Sequence, residues 1–151
     1  MILHSIPYSR FELTARGIII HRNKVLLFRV KKSPWYYFPG GHIEFMESTD
    51  QTLAREIKEE LGVGIRSSRY IGTIENFFFE HRYWHHVLEN AFFVTLASTS
   101  GRALEQHEEC EWVPLDRFKS MDVRPRALRD QIVKWTHTKR SFWAIERTKR
   151  R

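Results

Sequence analysis

The sequence predicts an α/β (α+β) sandwich built around a mixed β-sheet. Three observations predict it: a β-branched hairpin near the N-terminus, one well-capped amphipathic helix in the middle, and two long strand-like stretches followed by a second helix. The chain has 151 residues, the size of one domain, and no repeat, low-complexity tract or linker divides it. Hydrophobic residues make up 42% and charged residues 28%, a globular balance that excludes an intrinsically disordered chain.

Residues 15–20 and 25–30 are apolar and β-branched around a polar His21-Arg22-Asn23-Lys24 turn, so they read as a hairpin. Trp35, Tyr36, Tyr37 and Phe38 lead into Pro39-Gly40-Gly41, which breaks regular structure, and residues 42–45 suit a short strand. Ser48 and Gln51 form a capping box, Leu53, Ala54, Ile57 and Leu61 make one helical stripe, and Gly62 sits where a left-handed cap belongs. Residues 65–79 and 87–96 read as strands joined by a polar, aromatic turn at residues 80–86. Residues 112–114 suit a last short strand, and residues 127–136 a second helix started by Pro125.

The formal charge is +7, and residues 139–151 hold six basic residues against one acid, so net +5 of it belongs to the C-terminus. The expectation is one domain over residues 1–138 and a solvated basic tail over residues 139–151, with direct nucleic-acid binding not expected. One cysteine, Cys110, allows no internal disulfide, which fits the cytoplasm. No apolar run reaches signal-peptide length at residues 1–10 or membrane-spanning length elsewhere, so no membrane partner is expected.

The chemistry concentrates on the central helix, which contains Arg55-Glu56-Ile57-Lys58-Glu59-Glu60. At about 100° per residue, Glu56, Glu59 and Glu60 share one arc clear of the apolar stripe. Glu56 and Glu60 repel at i,i+4 by about 0.2–0.5 kcal/mol, and anions in a last helical turn cost about 0.3–1 kcal/mol each. An arrangement poor for stability suits a divalent cation, and oxygen ligands without histidine or thiolate select magnesium or manganese. That account requires the three carboxylates to face one ion without arginines capping them. Glu47, eight residues before Arg55, would pin the preceding loop to the helix.

Gly41, five residues, Glu47, seven residues, then Arg55-Glu56-Ile57-Lys58-Glu59-Glu60-Leu61-Gly62-Val63 resembles the Nudix box of the Nudix hydrolases at every defined position. Phe38-Pro39-Gly40-Gly41 before it and Trp112-Val113-Pro114-Leu115 after it resemble the family's flanks. The resemblance implies a Nudix-type α/β/α sandwich and magnesium-dependent hydrolysis of a nucleoside diphosphate derivative. It assigns Glu56, Glu59, Glu60 and the Gly40 carbonyl to metals, and gives Gly41, Glu47, Arg55 and Gly62 structural roles. The proton acceptor would be Glu59 first and Glu109 second, with Glu60 on the helix and Glu105 and Glu108 in the loop as the other candidates. Proteins resembling this one are commonly homodimers, so a homodimer is the assembly the resemblance allows.

Trp35 and Tyr37, beside the glycine turn, are candidates to stack on a base, and Arg82 in the late turn is a candidate phosphate contact. Subfamily markers for ADP-ribose, diadenosine polyphosphate and NADH substrates are absent, and Phe78 and Phe79 occupy the region where the first two would fall. A nucleoside triphosphate, including a modified one, or a nucleotide sugar stays open. Two other readings are a Nudix-fold domain that senses a nucleotide without cleaving it, and a hydrolase of RNA 5′ ends that grips the transcript with the basic tail. His81, His85 and His86 lack cysteine partners for zinc, and Cys110 has no activating neighbour.

Overall fold

Two β-branched runs open the fold of this computed structural model, which describes residues 8–148. Strand β1 (Ser9–His21) turns into β2 (Lys24–Val30) through Arg22 at φ 46° and Asn23 at φ 60°. Two successive positive φ values make the turn whose twist matches paired strands. β1 also pairs antiparallel with β3 (Gly40–His42) and, along its other edge, parallel with β5 (Tyr83–Leu96). β4 (Ile65–Glu80) pairs antiparallel with β5, and β6 (Glu108–Pro114) antiparallel with β2. The strand order is β6-β2-β1-β5-β4-β7, with β3 on β1, giving a mixed seven-stranded sheet.

Strand alternation sends side chains of β1 to two cores. Ala15 and Ile19 meet Leu53, Ile57 and Leu61 of α1 (Thr49–Leu61), while Ile18 meets Leu128, Ile132 and Trp135 of α3 (Arg126–Thr138). A one-turn α2 (Leu115–Phe118) sits on the α3 side and buries Phe118. Helices therefore cover both faces, and the α/β/α sandwich with a mixed central sheet is the observed architecture. α1 starts at the Ser48–Gln51 capping box and ends at Gly62, φ 72°, whose N–H donates to the Lys58 carbonyl. Ala54 departs from the expected stripe and is exposed.

Several boundaries differ from expectation. The turn expected over residues 80–86 contracts to His81 and Arg82, because His85 and His86 find partners within the sheet: Glu12 for His85, Glu75 for His86. Those pairings and the exposed His81 leave no shared zinc site for the three histidines. The strand expected at residues 42–45 lies instead at Gly40–His42, with the glycines themselves in register with β1.

The largest difference is β7 (Phe142–Arg147), inside the stretch expected to be a solvated tail. It pairs parallel with β4, with Phe142, Ala144 and Glu146 facing inward. The close approach depends on Gly72, where a Cβ would lie 2.4 Å from the Phe142 ring. Lys139 lies over the Trp135 ring and Arg147 over Phe77, so two basic residues of that stretch serve packing. Lys149, Arg150 and Arg151 fall outside the described residues, as do residues 1–7 of the stretch expected to carry no signal peptide. No described helix is long and apolar enough to cross a membrane.

Candidate active site

The glycine turn and the last turns of α1 lock together. Gly40 has φ 123°, and a Cβ there would sit 2.1 Å from the Ala15 carbonyl oxygen, so only glycine fits. At Gly41 a Cβ would come within 2.3 Å of Glu56 Oε1. The Gly40 N–H donates to Glu60 Oε2 at 2.9 Å, and its carbonyl accepts from Arg16 Nη1 at 2.9 Å. Arg16 Nε donates in turn to Glu89 Oε2 at 2.7 Å, and Thr14 Oγ1 to the same oxygen at 2.9 Å. Arg16 and Glu89 are residues that sequence reasoning missed, because parallel strands far apart in the chain bring them together.

Glu47 and Arg55 brace the loop. Arg55 Nε and Nη2 grip the two Glu47 oxygens at 2.8 and 2.9 Å, and Thr52 donates to Glu47 at 2.7 Å. The Arg55 bond holds the Glu47 carboxyl at about 2. Glu47, with Glu56 adding to it, pushes the Arg55 guanidinium above its usual range.

The three box glutamates occupy distinct environments. Arg55 Nη1 donates to Glu56 Oε1 at 2.8 Å and approaches Glu59 Oε2 at 3.4 Å; Glu59 is exposed. Glu60 is buried, and burial pushes its carboxyl up to about 8 against the opposing pull of the Gly40 N–H and Arg16. Glu108 and Glu56 add to the rise. Among the described residues no three His, Cys, Asp or Glu side chains converge to hold an ion, and Arg55 rather than one ion point gathers Glu56 and Glu59. Like charges on one helical face draw the nearest guanidinium. The donor set nonetheless fits a hard cation: carboxylate and carbonyl oxygens only, with a second lone pair on Gly40 and a desolvated Glu60 that a cation would relieve.

Of these groups, Arg16, Gly40, Glu60 and Glu89 line a cleft of about 580 Å³. Five glutamates and two arginines line it, together with Trp35, Tyr37, Phe78 and Phe79. Tyr37 Oη donates to Glu108 Oε1, and burial raises the Tyr37 pKa. Arg124 lies 5.2 Å over the Trp35 ring. Of the β6 glutamates, Glu108 lines the cleft, whereas Glu109, preferred from the sequence, is not among the lining residues and pairs with Arg29 at 2.5 Å. Strand parity with Trp112, which packs against the α1 core, was the signal that separates them. Arg82 is exposed at the β4–β5 turn and is not part of the cleft wall. Cys110 is half-buried, and burial pushes its thiol up.

A mixed sheet between helices, with a glycine turn and a glutamate-rich helix at a cleft, defines a class of phosphoanhydride hydrolases. The NUDIX domain model matches residues 12–135, so the chain belongs to the Nudix family and is a Nudix pyrophosphohydrolase. It is 25% identical over 131 residues to an ADP-ribose pyrophosphatase of Methanocaldococcus jannaschii, covering 85% of this chain and 76% of that one. It is 33% identical over 66 residues to an 8-oxo-dGTP diphosphatase of Buchnera aphidicola, covering 41% of this chain and 51% of the relative. Among solved structures, the MutT protein from Methanosarcina mazei Go1 superposes with a TM-score of 0.71 at 22% identity, covering 87% of this chain and 96% of that one. That likeness concerns the fold alone.

Proposed function

We propose that the protein hydrolyses a pyrophosphate bond of a nucleoside triphosphate or nucleoside diphosphate derivative by water attack at phosphorus, with magnesium and, as substitute, manganese. The observation that carries the reading is Glu60, buried on the Gly40 N–H in the wall of a cleft large enough for a nucleotide. Glu56, Glu59, Glu60 and the Gly40 carbonyl would hold the metal. When bound, it neutralises substrate phosphates and acidifies a water. Glu59 is the first candidate to accept the proton, and Glu108, on the cleft wall, is the second in place of Glu109. Arg16 holds the Gly40 carbonyl, Glu47 and Arg55 hold the loop, and Trp35 and Tyr37 offer faces for a base.

The names of the relatives leave both ADP-ribose and 8-oxo-dGTP in the substrate panel. Nucleotides are incubated with magnesium, manganese or EDTA, and phosphate or pyrophosphate release is read, with Glu60→Gln alongside. Magnesium-dependent release by the wild type that Glu60→Gln lacks supports the reading. Identical behaviour of the two on every compound assigns the protein to nucleotide sensing instead.

A further inference from the structure

The wall of the cleft holds a buried polar group that nothing among the described residues satisfies. Asn76, on β4, is 8% exposed and lines the cleft, yet its Oδ1 has no hydrogen-bond partner among the described residues. No Asn76 side-chain hydrogen bond is found there in either direction, so which end of the amide is oxygen is open. A buried amide left unpaired is destabilising, and one facing a cleft is a group that a ligand can complete. His85 Nε2 is the other orphan of this kind, but His85 is not part of the cleft wall.

Directly across the parallel ladder from Asn76 stands Glu146 of β7. One Glu146 oxygen accepts from the Ala127 N–H at the start of α3, which fixes the carboxylate against the cleft. Glu80 and Glu89 line the same wall. β7 lies beyond residues 12–135 matched by the family model, so Glu146 does not follow from family membership.

We propose that Asn76 and Glu146 are specificity-determining residues that read the edge of the substrate's base, and that they select a guanine-type base. The inference rests on the proposed nucleotide reading. Beside the Asn76 amide, Glu146, Glu80 and Glu89 offer mostly acceptors, the two arginines of the cleft being engaged by Glu89 and by Asp122. The pairing edge of guanine presents two adjacent donors, N1–H and the 2-amino group, beside one acceptor, O6. Adenine and cytosine present one amino donor beside ring acceptors, and uracil and thymine one N–H between two carbonyls. Only guanine supplies two donors to the carboxylate side while its O6 accepts from the amide. Trp35 and Phe78 in the same cleft supply planar neighbours for the ring.

The test measures affinities of GMP, IMP and AMP, which carry no pyrophosphate bond to be cleaved, for the full-length protein by calorimetry in excess magnesium. IMP differs from GMP by the 2-amino group alone. GMP is expected to bind about tenfold tighter than IMP and AMP. Asn76→Leu is expected to weaken GMP about tenfold while leaving AMP unchanged and Tm unchanged or raised, since the substitution removes an unpaired buried group. Glu146→Gln, which keeps an acceptor for Ala127, is expected to shrink the gap between GMP and IMP. Equal affinities for the three nucleotides, or a GMP affinity that Asn76→Leu does not alter, overturn the assignment. If the panel above shows hydrolysis while these affinities are equal, only the base assignment fails; if no nucleotide is hydrolysed, the functional reading itself fails.

Discussion

At Glu60, burial and function pull in opposite directions. Its carboxyl rises from the ordinary 4.5 to about 8, so across that window the folded chain holds a proton the unfolded chain has released. Stability therefore falls as pH climbs from about 4.5 to 8, with the full loss present above 8. Glu60→Gln removes this dependence. In EDTA the variant is expected to melt higher than wild type at pH 8.5, with the two converging near pH 4.5, while activity with magnesium falls about 10²–10³-fold. A variant that melts lower than wild type at pH 8.5 would contradict it. Glu47 has the opposite sign: held at about 2, it contributes stability above 4.5 that is lost as pH drops towards 2. On β6, Glu108→Gln is expected to reduce kcat at least tenfold and Glu109→Gln to leave it unchanged, a contrast that steady-state kinetics reads directly.

At the level of elements, two glycines one residue apart should fail differently. Gly40→Ala sets a Cβ against backbone in a positive-φ conformation, so the β1–β3 pairing must shift and folding yield and Tm should drop. Gly41→Ala meets only the end of the Glu56 side chain, so the fold should hold, as circular dichroism would show, while activity falls with Glu56 displaced. β7 is held by side chains as well as its ladder. Phe142→Ala, removing a half-buried ring from the α3 core, is expected to cost about 2 kcal/mol and lower Tm by roughly 4–8 °C. An unchanged Tm would return this strand to the status of a loose appendage.

Across the whole molecule, charge is distributed against first appearance. The chain carries +7, yet the cleft has five glutamates to two arginines, so a polyanionic substrate meets repulsion where it must bind. Cations resolve that conflict, and EDTA is expected to abolish nucleotide turnover, with magnesium in excess restoring it. Positive charge near the C-terminus is partly spent on aromatic rings, which weakens the RNA-gripping alternative. Removing residues 149–151 is expected to leave kcat/KM for nucleotides unchanged, and a loss confined to RNA substrates would revive that alternative.

The sequence by itself determined what is local. The capping box, the helical stripe, Gly62 and the Arg22-Asn23 turn depend on residues a few positions apart, and so does the Glu47–Arg55 brace. Tertiary structure alone decided what depends on register between distant strands. It turned Glu108 rather than Glu109 to the cleft, joined Arg16 to Glu89, and laid β7 beside β4 with Glu146 opposite Asn76. A strand has period two, so one residue of register flips every side chain to the other face. No local pattern fixes that choice; the packing of both cores against one sheet does.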